Sequence, residues 1–237
     1  MISVCMATYN GEKFIYEQVE SILAQIGEED ELIVSDDASS DNTIGIIRSF
    51  GDNRIKVFTG VFHSPIKNFE NAIKHAQGDV IFLSDQDDVW VEHKVNTILP
   101  YLEKYLLVFS NAIVVDKDLK VVREKLYENK PRFDILGTLV RNSFVGCTMA
   151  FRKEAIRYFW PFPNKIPMHD IWIALVSLLF GKVFYIEDGL ILYRRHGENL
   201  TDDKISTLPF GYRIRYRFYL IWQLIIRFFK VRLSAHR

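Results

Sequence analysis

Ile2-Ser3-Val4-Cys5-Met6-Ala7 is a short uncharged run that stops at Thr8-Tyr9-Asn10-Gly11. Short, apolar and closed by turn-forming residues, it reads as a buried β-strand. The stretch after it decides the fold. Phe14–Gln25 has helical spacing through Phe14, Ile15, Val19, Ile22 and Leu23, and Leu32–Ser35 is a second apolar strand. Thr43–Phe50 reads as a helix through Ile44, Ile46, Ile47 and Phe50, followed by a strand at Ile55–Phe58, a helix at Asn68–Ala76 and a fourth strand at Val80–Leu83. Near-continuous apolar strands alternating with helices predict an α/β domain: a mostly parallel central sheet flanked by helices on both faces.

In such sheets a ligand lies beyond the carboxyl ends of the strands. Strand one ends at Thr8-Tyr9-Asn10-Gly11, strand two at Asp36-Asp37-Ala38-Ser39-Ser40-Asp41, and strand four at Asp85-Gln86-Asp87-Asp88. Two of these ends are carboxylate clusters. The second half is less regular. Leu107–Ser110, Ile113–Val115 and Thr148–Phe151 read as strands, Asp116-Lys117-Asp118 as a turn, and Phe133–Val140 and Asp170–Phe180 as helices. Val183–Ile186 and Leu190–Tyr193 read as two strands joined by a hairpin turn at Glu187-Asp188-Gly189. No repeat or linker divides residues 1–203, which are read as one domain with halves 1–105 and 106–203, followed by a helical tail at 204–237.

At 237 residues the chain can bury roughly 70% of its unfolded surface, and 49% hydrophobic with 25% charged residues excludes a disordered or collagen-like chain. Two cysteines, Cys5 and Cys147, exclude a disulfide scaffold and a four-cysteine zinc site and suit a reducing compartment. Neither Gly-x-Gly-x-x-Gly nor the Gly-Lys-Ser/Thr phosphate loop occurs, which argues against a nicotinamide dehydrogenase or a P-loop ATPase. The opening residues carry no basic segment, so no secretory leader is expected.

The formal charge is zero, yet the tail from Lys204 holds eight Lys/Arg and no Asp/Glu, so the rest sums to −8. Arginines alternate with aromatics in Tyr212-Arg213-Ile214-Arg215-Tyr216-Arg217-Phe218, and Leu220, Ile221, Trp222, Leu224, Ile225, Phe228 and Phe229 follow without one clean stripe. Such a helix suits peripheral membrane contact through residues 212–233, a homodimer surface, or packing on its own domain. Its longest uncharged stretch, Phe218–Ile226, is under half the ~20 residues needed to span a bilayer. Nucleic acid is not expected as a partner of so acidic a body.

Asp85-Gln86-Asp87-Asp88 can hold a hard divalent cation such as Mn²⁺ or Mg²⁺ through carboxylate oxygens, leaving positions for phosphate. The same acids can cap a helix beginning near Glu92. Asp36 and Asp37 precede the capping candidates Ser40, Asp41 and Asn42 and are expected to be free to accept ligand N–H or hydroxyl groups. Asp170 can cap the apolar helix it begins. Cys147 reads as packing rather than as a nucleophile.

Ala-Thr-Tyr-Asn-Gly (7–11), Val-Ser-Asp-Asp-Ala-Ser-Ser-Asp-Asn-Thr (34–43) and Leu-Ser-Asp-Gln-Asp-Asp-Val-Trp (83–90) resemble the serial motifs of family 2 glycosyltransferases of GT-A fold. The third motif is similar to the branch containing bacterial rhamnosyltransferases and other surface-polysaccharide enzymes. The resemblance implies a metal-dependent inverting transfer of a sugar from a UDP or dTDP donor to a glycan or lipid-linked acceptor, at the cytoplasmic face of a bacterial membrane. It implies that Thr8 and Tyr9 flank the nucleobase, with Asp37 and Asp36 on its imide edge. Asp85 would contact the ribose and help Asp87 bind the metal, with Asp88 at the donor sugar or behind the ligands. Lys67 would lie near the diphosphate, although Asn68-Phe69-Glu70-Asn71 stands where many relatives have an Arg-Asn pair. Asp170 in Met168-His169-Asp170-Ile171-Trp172 resembles the catalytic base, with His169 a second contact or a buried neighbour. His196 in Tyr193-Arg194-Arg195-His196-Gly197-Glu198-Asn199 resembles a metal or diphosphate ligand, and Gly146-Cys147-Thr148 the acceptor-side strand. Two other readings are a sugar-phosphate nucleotidyltransferase, whose Gly-rich loop Thr8–Glu12 does not match, and a non-catalytic carbohydrate-binding protein.

Overall fold

A computed structural model of the chain describes residues 1–196 and 210–234. The expected boundary at 203/204 and the motif residues Gly197, Glu198 and Asn199 lie outside the described residues.

Four parallel strands, β1 (Ile2–Thr8), β2 (Glu31–Asp36), β3 (Ile55–Thr59) and β4 (Val80–Ser84), lie in the order β3-β2-β1-β4. They alternate with helices α1 (Ile15–Leu23), α2 (Thr43–Ser49) and α3 (Pro65–His75). Side chains sort with the period of two that a doubly covered strand requires. Cys5, Ile33, Ile81 and Leu83 enter one apolar layer, while Val4, Met6, Leu32, Val34 and Phe82 enter the other. Pairing of Thr8 with Asp36 and of Asp36 with Thr59 brings three strand ends level. Helix α3 begins three residues before its expected start. Ser64 caps it by accepting from the Lys67 N–H, and Pro65 occupies the first turn, where its missing donor costs nothing.

The sheet continues through β8 (Met149–Arg152), β6 (Leu107–Val115), β9 (Val183–Arg194) and β5 (Val89–Trp90), with the short β7 (Val121–Arg123) beside β6. β8 runs antiparallel between β4 and β6, and β6 pairs in parallel with β9. The expected hairpin at Glu187-Asp188-Gly189 does not form. β9 is continuous because both of its ends pair with β6, and the irregularity appears as register shifts near Asn111, which lies opposite Gly189. The two strands expected at 107–110 and 113–115 are for the same reason one.

Helices α4 (Lys94–Leu102), α5 (Ile135–Val140), α6 (Ile156–Phe159), α7 (His169–Phe180) and α8 (Phe210–Ser234) complete the described chain. α7 is buried through nearly its whole length and carries the site residues at its first turn. α8 packs on it through Leu220 and Leu224. Arg217 donates to the carbonyls of Leu139 (2.6 Å) and Val140 (2.7 Å), and Arg227 to those of Trp160 and Pro161 (2.7 Å to the latter). The opposite face is exposed and apolar at Ile214, Phe218, Ile221, Trp222, Ile225, Phe229 and Leu233. That is one stripe at helical spacing, where the sequence pattern alone suggested none. The inward Leu220 and Leu224 obscure it in the linear sequence.

Candidate active site

Strand order reverses between β1 and β4, and the cavity opens at their carboxyl ends, the switch point of an open α/β sheet. It encloses about 600 Å³ and is lined by Thr8, Tyr9, Asp37, Asp85, Asp87, His169, Asp170 and His196 among others. Three loop residues around it, Asn10, Ala38 and His63, hold positive φ of 48°, 56° and 48°. Non-glycine residues adopt this left-handed region at some cost, and functional loops often carry it.

Asp37 stands on the cavity wall, accepting backbone N–H groups from Phe62 (2.5 Å), His63 (2.9 Å) and Ser64 (3.1 Å). A carboxylate has about four acceptor positions, so one remains toward the cavity. Asp36 does not line the cavity. It accepts from Thr8 Oγ1 (2.8 Å) and from Ser39 N (2.9 Å) and Oγ (2.6 Å), so the expectation that both carboxylates are free is corrected: Asp36 braces β1 against the following loop. Asn42 holds the N-cap position of α2 without a side-chain bond, and Asp41 takes the Thr43 N–H at 3.0 Å instead. Tyr9 is 57% exposed, but its backbone is clamped by Gln86, which accepts from Tyr9 N (2.8 Å) and donates to Tyr9 O (3.0 Å).

Asp87 Oδ2 and His196 Nε2 lie 2.9 Å apart, joining the end of β4 to the residues after β9. Arg194 fixes this junction from behind, donating its backbone N–H to Asp88 Oδ1 (3.0 Å), Nε to Asp87 O (2.8 Å) and its remaining nitrogens to Lys117 O and Glu17. Burial, then the charge of Asp87, raises the Asp85 pKa to about 7. Asp88 is buried outside the cavity, its pKa also raised by burial. Lys94, wholly buried, donates to the Cys147 carbonyl at 2.7 Å and stands 4.4 Å from the Trp90 ring centre, its own pKa lowered to about 8 by burial. These acids do not cap α4, whose N-cap is His93.

Among the described residues, ligand atoms of Asp85, Asp88 and Cys147 also lie within 4.8 Å of one another. Burial keeps the Cys147 thiol protonated, and a neutral thiol does not suit a hard cation. Asp87 with His196, and Asp85 beside them, offer oxygen and imidazole donors on the cavity side. A carboxylate such as Asp85, whose ionisation is held back first by burial and then by the neighbouring charge of Asp87, fits a divalent cation.

Asp170, in the first turn of α7, lines the cavity. Met168 holds the N-cap position without a side-chain bond, and Asp170 meets a first-turn N–H from inside the helix. Its carboxylate accepts from Asn142 Nδ2 at 3.2 Å and from the Ile171 N–H at 2.5 Å, and burial raises its pKa to about 7. Lys67 is not at the cavity and pairs with Glu70 at 2.5 Å, whereas Lys13, not singled out by the sequence reading, lines it. Lys13 follows the β1 motif by two residues, which was the available signal. Asn142 lies in an irregular stretch with no spacing relation to Asp170.

Residues 3–160 match glycosyl transferase family 2. The chain is 29% identical over 222 residues to the Escherichia coli UDP-Glc:alpha-D-GlcNAc-diphosphoundecaprenol beta-1,3-glucosyltransferase WfgD, covering 88% of this chain and 82% of that one. It is 30% identical over 221 residues to the dTDP-rhamnosyl transferase RfbG of Shigella flexneri, covering 85% and 75%. Its fold resembles S. aureus TarS 1-349 in complex with UDP-GlcNAc (TM-score 0.68, 20% identity, 88% of this chain and 61% of that one). It also resembles the Pyrobaculum calidifontis mannosyltransferase PcManGT in complex with GDP-Man and Mn²⁺ (TM-score 0.64, 19% identity, 84% and 58%). The chain thus spans less than two thirds of either solved chain.

Proposed function

The chain belongs to glycosyl transferase family 2, and on that premise we propose that it moves a hexosyl group from a UDP- or dTDP-sugar to a lipid-linked glycan, by metal-dependent inverting displacement. The observation that carries this reading is the convergence on one cavity of the post-β4 carboxylates with Asp170, a carboxyl that burial holds near pKa 7. Asp37, with one acceptor position left, suits a nucleobase imide N–H, and the ring of the exposed Tyr9 suits the base face. Lys13 supplies positive charge at the cavity that Lys67 does not. Asp87 and His196, with Asp85, are the residues that would hold Mn²⁺ or Mg²⁺. Such a cation, when bound, supplies charge that offsets a departing diphosphate. Asp170 accepts the proton of the acceptor hydroxyl as that oxygen bonds to the anomeric carbon and the carbon–diphosphate bond breaks. Asn142 orients the carboxylate for that role.

UDP and dTDP present closely similar imide edges, and the names of WfgD and RfbG include one donor of each kind. UDP-glucose, UDP-GlcNAc and dTDP-rhamnose should therefore be offered with a synthetic α-GlcNAc-diphospho-lipid and Mn²⁺. A product heavier by one sugar is expected with one of these donors. No product from any of them would contradict the reading. With the family established, neither the nucleotidyltransferase nor the non-catalytic reading retains an observation in its favour.

No helix among the described residues is long and apolar enough to cross a membrane. The outward stripe of α8 is instead suited to lie on one, at the cytoplasmic face where the acceptor lipid would be met. Its apolar side chains can enter the acyl boundary while Arg213, Arg215, Lys230 and Arg232 meet anionic headgroups. Replacing Phe218, Trp222 and Phe229 together by Ser should lower partitioning onto phosphatidylglycerol vesicles more than tenfold, since each fully buried aromatic is worth about 1.5–3 kcal/mol. Equal sedimentation of both proteins with vesicles would contradict this placement. A mass that doubles with concentration, without vesicle binding, would assign the stripe to a second copy of the chain.

A further inference from the structure

His169 opens α7 beside Asp170 and lines the same cavity, yet among the described residues it is the one side chain with two buried polar atoms that lack a partner. Neither Nδ1 nor Nε2 makes a hydrogen bond. The ring stacks on Phe69 with centroids 4.0 Å apart and planes at 26°. Gly146 approaches so closely that a Cβ there would stand 2.5 Å from Nε2. The residue before Phe69 repeats the pattern. Asn68 lines the cavity and donates to Thr8 O at 3.0 Å, but its Oδ1 is buried and unpartnered.

A buried polar atom without a partner costs about 1–3 kcal/mol. A phenylalanine at 169 would keep the stack on Phe69 and avoid that cost twice. An imidazole kept there at such expense points to a partner that arrives with the substrate. Burial lowers its pKa to about 3, so the ring is neutral and offers one donor and one acceptor. A hydroxyl group matches that pair, and beside it Asn68 Oδ1 is a second waiting acceptor.

We propose that His169 is a specificity-determining residue that turns from Phe69 to hydrogen-bond a sugar hydroxyl at the Asp170 end of the cavity. This rests on the transferase reading above. Sites built to hydrogen-bond a hydroxyl discriminate strongly against losing that bond. The hydroxyl belongs to the acceptor or to the donor sugar, and steady-state kinetics separates the two.

The test compares wild type, H169F and H169Q in the transfer to α-GlcNAc-diphospho-lipid, with KM measured separately for each substrate. H169F is expected to raise KM for the acceptor at least tenfold with the donor KM unchanged. If the hydroxyl is the donor's, the donor KM rises instead, together with that for slow hydrolysis of the nucleotide sugar. H169Q, which keeps a donor and an acceptor, is expected to recover most of the loss, and H169F to melt no lower than wild type. H169F with both KM values and kcat equal to wild type would overturn the proposal while leaving the transferase reading intact. A wild type that transfers nothing would end both. Should H169F fail to fold, ring ¹⁵N resonances of wild-type His169, assigned by their loss in H169Q, decide: they shift on substrate addition but not with UDP alone, and unchanged resonances at saturation overturn the proposal.

Discussion

Asp170→Asn is expected to lower kcat by a factor of about 10² to 10⁴, the usual contribution of a general base, and to leave nucleotide binding unchanged. The amide keeps the shape of the carboxylate and one of its two acceptor contacts, with Asn142 or with the Ile171 N–H, but it cannot take a proton. In wild type the rate should climb with pH through about 7, where Asp170 ionises in the folded chain, and D170N should lack that limb. Stability should move the other way. Unfolded, the carboxyl ionises near 3.8, whereas burial holds it protonated to about 7 in the folded state. Between those values the folded state binds the extra proton, so stability falls as pH rises through this window and the loss is complete above it. D170N should therefore melt higher than wild type at pH 8 and close to it near pH 3.5. A variant slower and also less stable at pH 8 would mean that Asp170 is structural rather than poised for chemistry.

Asp87→Ala should weaken Mn²⁺-dependent nucleotide binding by about 100-fold or more, the upper end of what even an outer-sphere partner of a metal typically contributes. Asp87 is the carboxylate that contacts His196 directly at 2.9 Å on the cavity lining, so its loss removes one donor and releases the other. Metal-independent binding should survive, because Asp37 and Tyr9 belong to the β1 and β2 loops and are held by Phe62, His63, Ser64 and Gln86. A melting temperature near that of wild type would show that the loss is local. Nucleotide binding that is equal with and without Mn²⁺ in wild type would contradict the assignment of Asp87 as a ligand.

The first half of the fold was legible because β1, β2 and β4 are buried, mostly apolar runs that end abruptly in polar residues. Those endings marked Thr8, Tyr9, Asp37, Asp85 and Asp87, and the structure places all five on one cavity. Tertiary context decided the rest. Glu187-Asp188-Gly189 has the composition of a turn, yet pairing with β6 on both sides keeps the strand running. Asp36 and Asp37 are adjacent and chemically identical, and only the loop folded over them decides that one is consumed by Ser39 and Thr8 while the other faces the cavity. Lys67 looked like a phosphate group's partner until Glu70, three residues on along α3, claimed it. The roles of Asn142 and Lys94 depend on contacts across 28 and 53 residues of chain, which no local pattern announces.

The central claim is that the cavity at the ends of β1 and β4 is a nucleotide-sugar donor site. Calorimetric titration of UDP and of dTDP into the protein, with and without Mn²⁺ and repeated on D87A, tests it most directly. Saturable binding of at least one nucleotide, strengthened by Mn²⁺ in wild type and not in D87A, is the expected result. A folded chain that binds neither nucleotide under either condition would contradict it.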